Sequence, residues 1–271
     1  MVAIDPRVIA RAVSTVAGFK QIWLGTFDGN AGSAVDTGVW NIMTDIHVNN
    51  EMQQYTTSTD NLRLSGNGTL QIIPLKSSDG KWTSGRIEST SSYTPEDGKV
   101  ARFQSLLRFG DAPKDQQQGI WPAFWMLGES SRKGTPWPEC GELDIMERIN
   151  GMLEGHGTPH CGDISDPCGG KTKTTPLADN DWHTWAIEVD RKNKDWKQQE
   201  VRWMLDDKEY NKVSGADLGD EKLWASLAHS PFYFILNVAV GGNWPGNPND
   251  KTVDGTKSMM EVQYLAAYTS T

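Results

Sequence analysis

Three carboxylates fall within six residues at Glu142, Asp144 and Glu147, interleaved with Leu143, Ile145 and Met146. The first four positions alternate polar and apolar as a half-buried strand does, so Glu142 and Asp144 share a face. Strict alternation would send Glu147 to the opposite face with Leu143 and Ile145, burying a lone charge. One extra residue repairs the register. If Ile145 and Met146 together oppose a single partner residue, a β-bulge, Glu147 rejoins the other two acids. Neighbouring carboxylates repel, which pushes at least one pKa up and leaves a proton donor beside an ionised base or nucleophile. Retaining glycoside cleavage needs that pair: one carboxylate attacks the anomeric carbon while a carboxylic acid about 5 Å away protonates the leaving oxygen. On a flat strand the Cα atoms of 142 and 147 would lie about 13 Å apart, so the strand has to curve. The spacing alone leaves open a solvated acidic edge strand, and it does not say which glutamate attacks.

Positioning such a row is work for a sheet. Runs rich in β-branched and aromatic residues recur at 69–75, 101–109, 183–190, 200–205, 232–240 and 261–268, separated by clusters such as Ser78-Asp79-Gly80 and Asp206-Asp207. Helical spacing is confined to Val8, Ala12 and Val16, in an arm over 5–17, and to a short stretch at 220–227. With no internal repeat or interdomain linker, 271 residues at 37% hydrophobic content fit one all-β domain, taken as 20–271 after an arm or short helix at 1–19. Many short strands with turn signals mean a sandwich or a closed barrel.

The net charge of −9 argues against a nucleic-acid partner, which needs a basic face. The basic run Arg191-Lys192-Asn193-Lys194 continues into Asp195-Trp196-Lys197 and reads as a solvated hairpin turn. No apolar run approaches the ~20 residues of a membrane helix, and the opening residues lack the apolar centre of a signal peptide. A neutral polysaccharide suits this charge. Cys161 and Cys168 bracket a turn-rich segment in which a disulfide is expected in an oxidising compartment, leaving Cys140 as a free thiol. A metal site of Cys161, Cys168 and His160 lacks the paired spacing such sites show.

Several of the 12 tryptophans stand among Gly, Pro and Asn instead of in apolar runs. Sugar rings present C–H faces rimmed by hydroxyls, which a flat indole with polar neighbours suits. Trp23, Trp40, Trp185 and Trp203 read as core. Trp121 and Trp125 are four apart on one face of a strand just upstream of the acids.

The segment from Glu142 to Glu147 resembles the bulged catalytic signature of glycoside hydrolase family 16, in its laminarinase branch. Five further segments match in order, over roughly residues 20–268. The resemblance implies an all-β jelly-roll sandwich of two curved antiparallel sheets, the concave one forming the substrate cleft. It also implies that Glu142 is the nucleophile, Glu147 the acid/base, and Asp144 the group that holds and polarises them. Trp121 and Trp125 match GxWPAFW, whose tryptophans line the cleft floor, and Trp137 marks the same end. The stretch from Asn49 to Thr56 resembles NNExQxYT and carries over Asn50 and Glu51, with Glu51 also readable as structural. Arg86 lies in a match to TSGRI, where an arginine fork reaches the distal sugar. The stretch from Gly155 to Gly162 is similar to HGTLHYG and sets His160 in a loop beside the leaving-group subsite, near the acid/base. Pro159 and Cys161 depart from that pattern, and an aromatic platform is lost with them. The stretch from Leu236 to Gly246 resembles LNxAVGGNWPG, which implies Asn237 and Trp244 as sugar contacts. Gln263 stands where the family commonly has a calcium-holding aspartate, so weak or absent calcium binding is expected.

These matches imply a secreted, monomeric, retaining endo-glucanase acting on β-1,3-linked and mixed β-1,3-1,4-linked glucan. Its expected partner is a β-glucan polysaccharide or oligosaccharide, with no cofactor, metal, nucleic acid or membrane. Cell-wall transglycosylases of this scaffold use the same acids but mostly in an unbulged ExDxE. Galactan-cutting relatives share the bulged motif without the NNE and GGNWPG segments. A non-catalytic β-glucan recognition protein would lack a glutamate that this chain keeps.

Overall fold

The computed structural model describes residues 15–271, so the arm expected at 1–19 lies outside the described residues over 1–14. Two antiparallel sheets stack face to face. The cleft-bearing sheet has seven strands, in spatial order Lys173–Pro176, Glu154–His160, Glu142–Glu147, Ile120–Gly128, Phe232–Val240, Arg86–Ser89 and Trp40–Ile42. The other sheet has eight, with Val100–Phe109 and Met260–Ser270 side by side near its middle. A small third sheet of Gln53–Tyr55, Trp82–Ser84 and Leu75–Lys76 contains a parallel pair.

One core lies between the large sheets. Phe103, Leu107, Trp185, Ile187 and Trp203 of the eight-stranded sheet meet Phe124, Met126, Leu143, Ile145 and Met146 of the other. Fully burying such a side chain contributes about 1.5–3 kcal/mol. Trp40, Trp185 and Trp203 are buried as the sequence suggests, and Trp23 packs against the core from its edge. Phe232–Val240 shows how one strand serves two faces: Phe234, Leu236, Val238 and Val240 enter the core, while Asn237 and Ala239 line the cleft.

The strands His183–Asp190, Glu200–Leu205 and Phe232–Val240 form with the bounds that their composition suggests. The run at 69–75 does not stay whole. Leu70–Ile72 and Leu75–Lys76 join different sheets, because Pro74 between them cannot donate to a ladder. The stretch at 220–227 becomes the helix Glu221–Ala228, capped by Asp220, whose carboxylate accepts from the Lys222 and Leu223 amides. Asp206 and Asp207 both take left-handed φ (48° and 61°) between Glu200–Leu205 and Lys208–Ser214, as a tight two-residue hairpin requires.

Candidate active site

In the strand Glu142–Glu147, Asp144 pairs with Thr158 and Glu147 with His156, so Ile145 and Met146 together face Gly157. On the other edge Trp125 pairs with Asp144 and Phe124 with Met146, which makes Ile145 the extra residue. Glu142, Asp144 and Glu147 consequently all line the cleft, and Leu143, Ile145 and Met146 all enter the core. A bulge disrupts the ladder and leaves backbone carbonyls in need of donors. The opposite sheet supplies them: Trp203 Nε1 donates to Asp144 O at 2.7 Å, and the Tyr210 hydroxyl donates to Ile145 O at 2.9 Å. Position 157 requires glycine, since a Cβ there would lie 2.5 Å from atoms of both Trp203 and Tyr210. Nothing in the local motif points to Trp203 or Tyr210, which reach it from the other sheet; Trp203 reads as plain core in the sequence.

The acids open into a cleft of about 320 Å³ walled by Trp121, Trp125 and Trp137. Trp121 Nε1 donates to Glu147 Oε1 at 3.0 Å, and Trp125 Nε1 donates to Asn237 Oδ1 at 2.8 Å. Asn237 in turn donates from Nδ2 to the Tyr55 hydroxyl at 3.1 Å. Arg86 lies over the Trp125 ring at 4.9 Å and donates from Nη2 to Glu88 at 2.8 Å; its buried Nε has no partner among the described residues. The Glu51 carboxylate accepts from Asn49, Gln53 and Tyr55, which makes it a brace of the cleft wall. Trp244 is 42% exposed and stands edge-on to Trp121 and to His156 at ring separations of 5.5 and 4.9 Å, forming a rim beyond the enclosed part.

Two positions differ from the sequence reading. Asn49 and Asn50 both adopt left-handed φ (53° and 55°). This turn carries the Asn50 amide to Asn243 Oδ1 at 2.7 Å and leaves Asn49, not Asn50, lining the cleft. His160 is the last residue of the strand Glu154–His160, not a loop residue, and it pairs with Glu142. Antiparallel pairing therefore sets His160 at the Glu142 end and His156 opposite Glu147. His160 Nε2 donates to Asp144 Oδ2 at 3.1 Å and stands 3.8 Å from Glu142 Oε1, while Nδ1 donates to Asp166 Oδ2.

Burial raises the pKa of all three acids, and each has a further cause. For Glu142 burial and the Asp144 charge act upward, opposed by His160 and by a hydrogen bond from Trp137. For Glu147 burial and the charges of both Asp144 and Glu142 act upward, opposed mainly by the Trp121 hydrogen bond. Glu147 thus has the charges of two neighbouring acids raising it, where Glu142 has one. Burial raises Asp144 too, against the His160 hydrogen bond and charge. Burial pulls the His160 pKa down, but the hydrogen bond and charge of Asp144, with Glu142 and Asp166, outweigh it and raise it to about 10.

Glu142, Asp144 and His160 hold donor atoms within 4.8 Å of one another. Both ring nitrogens of His160 are engaged by carboxylates, Nε2 by Asp144 and Nδ1 by Asp166. Cys161 and Cys168 are joined in a disulfide, which removes their sulfurs from any metal set with His160, and Cys140 is a buried free thiol.

A row of three acids in a tryptophan-walled cleft, on one sheet of a jelly roll, defines a glycoside hydrolase. The family model described as "XgeA-like, catalytic GH16 domain" matches residues 48–210. Glucan endo-1,3-beta-glucosidase A1 of Niallia circulans is 31% identical over 93% of this chain and 38% of its own length. A beta-glucanase of Rhodothermus marinus is 30% identical over 81% of this chain and 74% of its own length. The solved endo-1,3-beta-glucanase of Streptomyces sioyaensis superposes with a TM-score of 0.89 at 34% identity, covering 96% of this chain and 99% of that one. The chain belongs to glycoside hydrolase family 16. It spans well under half the length of the Niallia relative.

Proposed function

We propose that this chain is a retaining endo-glucanase that hydrolyses internal β-1,3-glucosidic bonds of laminarin-type glucans and also accepts β-1,3-1,4 mixed-linkage glucans. The observation that carries this reading is the bulge, which turns Glu147 onto the face of Glu142 and Asp144 so that all three acids line one cleft, where burial and the two neighbouring acids raise the Glu147 pKa. Glu142 attacks C1 as Glu147 donates its proton to the departing oxygen. A covalent glycosyl-enzyme forms, and water activated by Glu147 releases the sugar with retained configuration. Asp144, held by His160, keeps Glu142 aligned. Trp121 and Trp125 carry sugar faces, and the Arg86 guanidinium and Asn49, which line the cleft, offer hydrogen bonds to hydroxyls. The names of the relatives support β-1,3-glucan as the substrate. We further propose that the enzyme works outside the cell and as a monomer; the buried Cys161–Cys168 disulfide favours an oxidising compartment.

The test is parallel incubation with laminarin, barley mixed-linkage glucan, carboxymethylcellulose and agarose, with products sized over time. Early release of mixed oligosaccharides from laminarin, and weaker release from barley glucan, is expected. Folded protein that leaves both glucans intact would overturn the reading and move the search to galactans and to transfer reactions.

A further inference from the structure

The loop that follows the strand Glu154–His160 runs from Cys161 to Cys168, and these two residues are joined with Cα atoms 5.4 Å apart and both side chains fully buried. Between them Asp166 takes a left-handed φ of 46°, a conformation that aspartate tolerates better than most residues. Its Oδ1 accepts from the Cys161 and Gly169 amides, each at 3.2 Å, so the carboxylate is tied to a cysteine at one end of the loop and to the neighbour of the other. Its Oδ2 accepts from His160 Nδ1. Gly169 leaves room for this pair: a Cβ there would lie 2.2 Å from Asp166 Oδ2 and 3.3 Å from His160 Nδ1. The same imidazole then spends its second proton on Asp144 at 3.1 Å.

We infer that Asp166, fixed by the Cys161–Cys168 disulfide, is a positioning residue that acts through His160 to hold the Asp144 and Glu142 carboxylates in their catalytic arrangement. The inference rests on the reading of Glu142 as nucleophile. The charged groups that face His160 are Asp144 and Glu142 from the catalytic strand and Asp166 from the loop, and the Trp137 ring covers it at 5.5 Å. With both ring nitrogens engaged by carboxylates, the imidazole can neither flip nor readily lose a proton. Its positive charge stays beside two buried acids that would otherwise repel each other. Asp166 holds this geometry because the disulfide removes conformations from a segment of Gly, Asp, Ser and Pro that would be free to open.

The experiment uses the full chain as wild type, as Asp166→Asn, and as Cys161→Ala with Cys168→Ala. Nitrogen-15 NMR titration of the His160 ring is the readout that a merely structural role would not move. In the wild type the ring should stay doubly protonated well above neutral pH. In Asp166→Asn it should lose its proton about one pH unit or more lower. On laminarin, kcat should fall about tenfold with KM held within about twofold, because the imidazole is no longer held against the Asp144 and Glu142 carboxylates. The paired cysteine variant should shift in the same directions. A folded Asp166→Asn protein with the wild-type His160 titration and wild-type kcat would overturn the role of Asp166. The same result in the cysteine variant would overturn the role of the disulfide. Wild-type protein that cleaves no glucan would sink the functional reading alone, since the titration needs no substrate.

Discussion

Glu142 and Glu147 are chemically identical side chains five residues apart, and their neighbours make them different. Glu142 faces one other acid and has His160 and Trp137 to favour its anion, whereas Glu147 faces two other acids, opposed by the Trp121 indole N–H and then by the His160 charge. Glu142→Ala is expected to lower laminarin turnover by about 10⁴-fold, with azide restoring turnover and giving the inverted glycosyl azide, as loss of a nucleophile should. An unaltered rate would end the assignment. The same shifts predict a stability effect. A buried carboxyl whose folded-state pKa is raised holds its proton more tightly when folded, so the folded state loses stability as pH rises from the unfolded value through the folded one. Glu147→Gln removes that loss. Its Tm should exceed wild type by a few degrees at about pH 8 and match it at about pH 4, below the ordinary glutamate value. A gain at low pH and none at high pH would reverse the sign and refute the burial argument.

At the scale of the element, the catalytic strand depends on groups that belong to another sheet. Its bulge was legible because three acids with intervening apolar residues fit one face in no other register. The donors that support it were not legible: Trp203 and Tyr210 lie 59 and 65 residues from the carbonyls they reach. Tyr210→Phe should cost about 1 kcal/mol of unfolding free energy and lower kcat more than it changes KM, measured by denaturant melts and steady-state kinetics. Loss of stability with kcat intact would mean that the hydrogen bond supports the sheet and not the acids. His160 shows the complementary case. Its motif was visible, but which acid it serves depends on strand direction, and antiparallel pairing from Glu142 to His160 settles that.

Over the whole molecule, two sheets sharing one core leave one face free to be a cleft, and tryptophans enter it from strands and loops far apart in sequence. Trp137 is 47% exposed and lines the cleft, so Trp137→Ala should raise KM for laminarin about tenfold with Tm nearly unchanged. An unchanged KM would remove it from the binding surface. The net charge of −9 would make binding of any charged substrate sensitive to salt. For a neutral glucan, KM should stay within about twofold from low to physiological ionic strength, and a steep dependence would point to a charged polymer instead.

The sequence by itself determined the all-β class, the need for a bulge, the tryptophans destined for core or cleft, and the cysteines able to pair. These follow from periodicity, composition and short spacings, which local physics reads without a partner. Only the tertiary structure decided which histidine stands beside which glutamate, that Asn49 takes the place expected of Asn50, and that Trp203, Tyr210 and Asp166 support the acids. Those outcomes depend on strand register, a left-handed turn and contacts between sheets. Such relations join residues that the linear chain keeps apart, so no local pattern encodes them.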